Sequence, residues 1–219
     1  RYYLNGIYLH QAEQEGVQVL RAVATDGHRL ARFEMPLPEG AANMPGIIIP
    51  RKAIGELRKL ADDAADSIQI TLSENKIRFA FDHIILTSKL IDGTFPDYQR
   101  VIPEGNDKIV EVNAKALTSA VDRVSTISDG KSRAIKIAMN GKLMTISASS
   151  AEAGSAVEEV EVNGETDIEI GFNAKYLLDI TSQIEGEGCR FTLADPASPT
   201  IIQDNSDTSA LYVLMPLRV

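Results

Sequence analysis

The 219-residue chain carries 22 Lys+Arg against 31 Asp+Glu, a formal charge of −9, with 44% apolar and 24% charged residues. That balance belongs to a soluble globular protein, and the length to about two domains. Apolar runs are no longer than a strand and no basic, apolar leader opens the sequence, so neither a membrane-spanning helix nor a signal peptide is expected.

Taken in order, Arg1-Tyr2-Tyr3-Leu4 reads as a strand, and the sequence reads as a fragment starting inside a domain. A plan then recurs three times: a short strand, a helix opened by a polar or basic triplet, and three more strands. The first copy opens at Ile47-Ile48-Ile49-Pro50-Arg51-Lys52-Ala53-Ile54, with strands expected near 67–73, 76–82 and 84–90. The second opens at Val110-Glu111-Val112-Asn113-Ala114-Lys115, with strands near 133–139, 142–149 and 155–163. The third opens at Ile168-Glu169-Ile170-Gly171-Phe172-Asn173-Ala174-Lys175, with strands near 189–194, 199–204 and 210–217. Repeats of this size mark a multiplied supersecondary unit. Residues 1–33 read as the strands of a fourth unit whose helix is missing.

At 100° per residue, Ala53, Ile54, Leu57, Leu60 and Ala61 fall on one face of the first helix, and Arg51, Lys52, Arg58 and Lys59 on the other. Asn113 and Asn173 suit the N-caps of the second and third helices. Asn140-Gly141 is the strongest hairpin signal. The turn-rich stretch 91–107 reads as a linker between domains 1–101 and 108–219. Residues 1–101 carry a net charge of −1 (12 basic, 13 acidic) and residues 102–219 one of −8 (10 basic, 18 acidic). The acidity argues against an indiscriminate nucleic-acid binder. The tail Tyr212-Val213-Leu214-Met215-Pro216-Leu217-Arg218-Val219 is apolar almost to its end, so it must be buried or meet a partner.

Single-residue chemistry is sparse. Cys189 is the one cysteine, which excludes a disulfide framework and a cysteine-based zinc site; its surroundings suit a structural thiol. His10, His28 and His83 are far apart and no HExxH occurs, so no metal and no cofactor are expected. Asp26 and His28 could form a catalytic pair, but no nucleophile elbow, P-loop or dinucleotide fingerprint accompanies them. A hydrolase using that pair remains an alternative, as does a β-rich interaction module that does not bind DNA.

Several stretches, in order over the whole chain, resemble the bacterial DNA polymerase III beta subunit, the sliding clamp. They are Arg1–Gly6, Ala24–Ala31, Ile49–Lys52, Thr87–Tyr98, Ile170–Leu177 and Tyr212–Val219. The resemblance implies an α+β DNA-clamp (processivity) fold. Each domain holds two βαβββ half-units, with helices on the inner face and antiparallel sheets outside. It implies that 1–101 is a second domain without its beginning and 108–219 a complete third domain. It further implies a cytoplasmic, non-enzymatic processivity factor that closes as a homodimer around duplex DNA. Arg51, Lys52, Tyr2 and Tyr3 would approach DNA, and Thr126 and Ile127 would lie in the ring-closing interface. Polymerase, clamp-loader and repair proteins would dock through short Gln-, Leu- and Phe-bearing peptides. The implied pocket comprises Leu4, Thr25, Gly27, His28, Arg29, Leu30, Pro96, Arg100, Val101, Asn173, Tyr176, Val213, Leu214, Met215, Pro216, Leu217 and Arg218. Arg29, Asn173 and the backbone near Met215 would orient the peptide. Ser132 and Ala197 depart from the pattern, where relatives carry larger residues.

Overall fold

The computed structural model describes residues 1–61, 66–128, 130 and 133–219. Ser132 lies outside them. The fold is α+β and divides into two units, Arg1–Asp26 with Arg32–Tyr98, and Gly27–Ala31 with Gln99–Val219. No described helix is long and apolar enough to cross a membrane.

Unit 1 begins with a difference from the sequence reading. Tyr2–Leu4 is a single 3₁₀ turn, and the first strand, β1, spans Gly6–Gln14. The Asn5 amide closes the turn on the Tyr2 carbonyl, so the aromatic pair heads a turn and not a ladder. Strand β2 (Val17–Thr25) pairs antiparallel with β1 across Glu15-Gly16, both at positive φ, as a twist-matched two-residue hairpin requires. Next come β3 (Arg29–Pro36), β4 (Ile47–Pro50), α1 (Arg51–Ala61), β5 (Gln69–Leu72), β6 (Lys76–Phe81) and β7 (Ile84–Lys89). The strands form one sheet ordered β4-β1-β2-β3 and a second ordered β5-β6-β7. Ile47, Ile49, Ala53, Ile77, Phe79 and Phe81 make the core under α1. The alternation Lys76–Phe81 buries Ile77, Phe79 and Phe81, as its period of two demands. Leu60, on the apolar face of the helical wheel, is 38% exposed. The described part of α1 ends one residue later, at Ala61.

Unit 2 holds β8 (Lys108–Asn113), α2 (Ala114–Ser125), β9 (Ala134–Asn140), β10 (Leu143–Ser150), β11 (Gly154–Asn163), β12 (Ile168–Asn173), α3 (Ala174–Thr181), β13 (Gly188–Leu193), β14 (Thr200–Asp204) and β15 (Ala210–Leu214). Its strand order is β12-β9-β10-β11-β8-β13-β14-β15. The repeat explains the order. The opening strand of each half-unit pairs in the sheet of the other half: β12 with β9, β8 with β13. In unit 1, β4 likewise pairs with β1. Helices α2 and α3 pack against each other on this sheet, over a core in which Leu117, Ile135, Ile137, Phe172, Leu177 and Phe191 are fully buried.

Local signals explain the helix starts. Asn113 accepts the Ala116 amide at 2.9 Å and Asn173 the Tyr176 amide at 3.2 Å, each satisfying a first-turn donor. The β9–β10 turn differs in detail. Asn140 is the last paired residue of β9, and Gly141 (φ 59°) with Lys142 forms the loop. Strand β15 stops at Leu214, short of the expected 217, because Pro216 has no amide to donate.

Candidate functional site

The C-terminal tail of unit 2 is held by two main-chain bonds. The Met215 amide donates to the His28 carbonyl at 3.0 Å, and the Leu217 amide to the Gly171 carbonyl at 2.8 Å. Gly171 permits the second contact, since a Cβ there would stand 2.6 Å from Leu217 O and 2.5 Å from Val219 Cγ1. No sequence signal beyond the glycine itself announced this role.

Above the tail, the segment from Gly27 to Ala31 meets α3. The Arg29 guanidinium lies 4.1 Å from the Tyr176 ring centroid and donates to Asp179 at 2.6 Å. The His28 ring lies 6.4 Å from the same ring at 27°. Gly27 (φ 89°) makes the bend that leads into β3. Unit 2 thus gathers His28, Arg29, Asn173, Tyr176, Met215 and Leu217 around one tail. Met215 is 40% exposed beside Pro216 and Leu217, which are half-buried, while Arg218 is exposed. Leu30, Val213 and Leu214 are buried, so they back the surface instead of forming it. Arg100 and Val101 are exposed on the 3₁₀ turn Tyr98–Val101.

Two expectations about hydrogen bonding change. The Oδ1 of Asn173 is taken up in capping α3. The Met215 amide is committed to His28, so it does not point at a guest.

Unit 1 brings a different set together. Leu4, Ile7, Ala24, Thr25, Arg51 and Ile54 line an open, largely apolar cleft of about 510 Å³. Pro96 is exposed. Arg51, Lys52, Arg58 and Lys59 are all exposed along α1, with Glu56 bound to Lys59 at 3.1 Å. Tyr2 is exposed and meets Tyr3 edge-on at 5.7 Å, backed by Gly93, whose Cβ would stand 3.3 Å from Tyr3 Cβ.

At the far end of α2, Thr126 is exposed and Ile127 packs partly on the core. Arg123 grips Glu158 of β11 with two hydrogen bonds, of 2.5 and 2.7 Å. Among the described residues β11 pairs with β8 only at Val162 and Asn163, so its edge through Glu161 is open there, with Val157 60% exposed. Sequence reasoning missed this edge, because pairing is not written in a strand's own alternation. Cys189 is fully buried, and burial, then the nearby Asp204 charge, push its thiol up to about 12; it is inert as a nucleophile at neutral pH. Ala197 sits exposed in a turn held by Asp195, which accepts its amide at 2.8 Å.

The family model for the DNA polymerase III beta subunit, central domain, matches residues 1–97, and that for its C-terminal domain matches residues 99–218. The chain belongs to the DNA polymerase III beta-subunit family. It is 53% identical to the beta sliding clamp of Caulobacter vibrioides over its whole length, and 38% identical to that of Escherichia coli K12. It spans 59% of the length of each of these relatives. The Caulobacter crescentus beta sliding clamp superposes with a TM-score of 0.97 at 53% identity, covering all of this chain and 58% of the clamp's. The Bartonella birtlesii clamp bound to griselimycin gives 0.95 at 49% identity, covering all of this chain and 59% of that one.

Proposed function

We propose that this chain is part of a DNA sliding clamp, without catalytic residues or a cofactor of its own, acting in the cytoplasm. In this reading residues 1–101 belong to a second clamp domain, 91–107 join it to a third, and 108–219 form that third domain. The observation that carries the DNA half is the exposed cationic stripe on α1 of an acidic chain. Phosphate attraction of this kind is long-ranged and blind to sequence, and it holds duplex without the base contacts that would stop sliding. Tyr2 and Tyr3 join Arg51 and Lys52 on the DNA side. Ring closure in a homodimer uses Thr126 and Ile127, and the open β11 edge beside them suits a sheet continued across two subunits.

The second activity is recruitment of polymerase, clamp-loader and repair proteins by short peptides. Support comes from Tyr176, Met215, Pro216 and Leu217, which offer partly exposed apolar surface beside Arg29 and Asn173. Met adapts its shape to varied anchors, and such a surface takes Leu and Phe while polar groups orient the backbone. Leu4, Thr25, Gly27, His28, Pro96, Arg100, Val101 and Arg218 complete the proposed site.

Each half has its own test. In a chain of the relatives' full length, Arg51→Glu with Lys52→Glu is expected to weaken duplex binding about tenfold or more and to lower the salt-dependence slope by roughly 1–2. An unchanged slope would remove α1 from the DNA path. For the peptide half, Met215→Ala is expected to weaken a Gln-Leu-Phe type hexapeptide about tenfold by titration calorimetry, since truncating a partly buried anchor costs about 1–2 kcal/mol. Equal binding by both proteins would refute the assignment.

A further inference from the structure

Unit 1 carries a second cationic surface, which shares no residue with either site proposed above. It lies on the face of the β5-β6-β7 sheet turned away from the core. Strand alternation sends Ile77, Phe79 and Phe81 of β6 into the core, with Ile84 and Leu86 of β7 packed against it. Lys76, Arg78 and Ala80 of β6, and Ile85, Thr87 and Lys89 of β7, therefore face the other way. Register arranges this face in three rows. Lys76 stands opposite Lys89, Arg78 is flanked by Thr71 and Thr87, and Ala80 lies between Gln69 and Ile85. The acidic residues of 69–89, Glu74 and Asp82, lie in the two turns. Among the described residues no ion pair engages Lys76, Arg78 or Lys89. Ile85, in the third row, is 62% exposed.

Stability does not ask for this arrangement. Like charges directly opposite on antiparallel strands destabilise a sheet. Lysine on an edge strand guards against edge pairing, but β6 is the central strand of the three and Arg78 sits in its interior. Solubility does not ask for it either. In a chain of charge −9, each added cation reduces the net charge that keeps copies apart.

We propose that this face docks a segment of a partner protein in which an aliphatic anchor is followed by carboxylates. Rows two residues apart lie about 7 Å apart along the strands, so Ile85, Arg78 and the Lys76–Lys89 pair span about 14 Å. An extended segment repeats its same-side residues at that spacing. An anchor at position i with acids at i+2 and i+4 meets the three rows in turn. Arg78 presents a planar fork suited to a carboxylate, and the two lysines present point charges. Ile85 decides between kinds of anionic partner. Phosphate contacts gain nothing from an exposed isoleucine, whereas an aliphatic side chain laid over it removes apolar area from both. Exposed charges farther apart than about 8–10 Å are largely screened at physiological salt, so the patch, and not the net charge of the chain, acts on a docked segment.

The test uses the whole 219-residue chain, with amide chemical shifts and thermal melting as readouts. The probe is the capped peptide Ser-Leu-Ser-Glu-Ser-Glu-Glu, with a control in which Gln replaces each Glu and a second control of oligo-dT. The acidic peptide is expected to shift the amides of 76–80 and 85–89 saturably, and the Gln control to leave them in place. Arg78→Glu is expected to weaken binding about tenfold or more, and Ile85→Ser about threefold to tenfold. Lys76→Glu separates a docking role from a structural one. It replaces a like-charged cross-strand pair by an opposite one, so the melting midpoint should rise by about 1–4 °C while peptide binding weakens. Three results would each overturn the proposal: no shift on this face, equal shifts from the Gln control, or full binding by Arg78→Glu. A lowered midpoint in Lys76→Glu would make the lysine structural and overturn its role in docking. Equal shifts from oligo-dT would make the face a nucleic-acid surface, and concentration-dependent shifts without peptide would make its occupant a second copy; either overturns the partner proposed.

Discussion

Phe172→Ala is expected to lower the unfolding free energy of unit 2 by about 3–5 kcal/mol. The ring is fully buried in the core that α2, α3 and the surrounding strands share. Neighbouring large side chains there, Phe191, Ile135 and Leu177, are also fully buried and already packed. The hole left by the ring cannot be filled cheaply by their movement, so the loss adds a cavity cost to the transfer cost. Phe172 lies between Gly171, which accepts the Leu217 amide, and Asn173, which caps α3. The substitution should therefore also loosen the tail. Urea titration followed by circular dichroism would measure the first effect, and hydrogen exchange over Met215–Val219 the second. A loss below about 1 kcal/mol would mean that this core collapses around the gap, against the rigid packing claimed for it.

The second large effect is expected at Asp204. Its carboxylate accepts the amides of Gly186 at 2.8 Å, Glu185 at 3.1 Å and Ser206 at 2.8 Å, and the Ser206 hydroxyl at 2.7 Å. One acidic side chain so organises the loop before β13 and the turn after β14. Asp204→Ala strands three amides at once and should cost about 2–4 kcal/mol. The Gly186 amide first, then the Ser206 hydroxyl and amide, hold the carboxyl pKa below its usual value. A folded pKa below the unfolded one gives stability that is full above about pH 4 and is lost as pH falls through the folded value. The stability difference between the parent and Asp204→Ala should accordingly be constant from pH 7 to 5 and shrink below pH 4. A difference that stays level to pH 2.5 would contradict the carboxylate's role.

Much of this architecture was legible because the repeat is written in residue types. Asn113 and Asn173 each cap a helix, as their position before an amphipathic run requires. The alternation in Lys76–Phe81 buries the residues it should. The cationic face of α1 follows from the helical wheel alone, and all four cations are exposed. Where expectations failed, a local rule met a longer-range one. Arg1–Leu4 has strand-forming residues, yet the chain turns there, because β1 begins its ladder with β4 only at Gly6, opposite Pro50. In Asn140-Gly141 the signal was right about the hairpin and one residue out on the loop, since register with β10 keeps Asn140 paired.

The candidate site divides the same way. Apolar character in the tail was visible in Val213, Leu214, Met215 and Leu217, but their different fates were not. Val213 and Leu214 fill the interior, whereas Met215 stays accessible because its amide reaches back to His28. The Arg29–Tyr176–Asp179 contact joins residues 150 positions apart, and the Tyr98–His10 bond joins residues 88 apart. Neither has a sequence signature.

By itself the sequence determined the recurring strand–helix–strand plan, the caps of the second and third helices, the charged face of the first helix and the family to which the chain belongs. These depend on properties repeated along the chain at periods of 2 and 3.6, or on short motifs that a linear reading contains. Tertiary structure alone decided that opening strands trade places between half-units, that Gly171 admits the tail, that the β11 edge is open among the described residues and that the Tyr98 hydroxyl meets His10. Each of those is a pairing of distant groups, and its energy comes from burial and hydrogen-bond geometry that exist only once the chain has closed on itself.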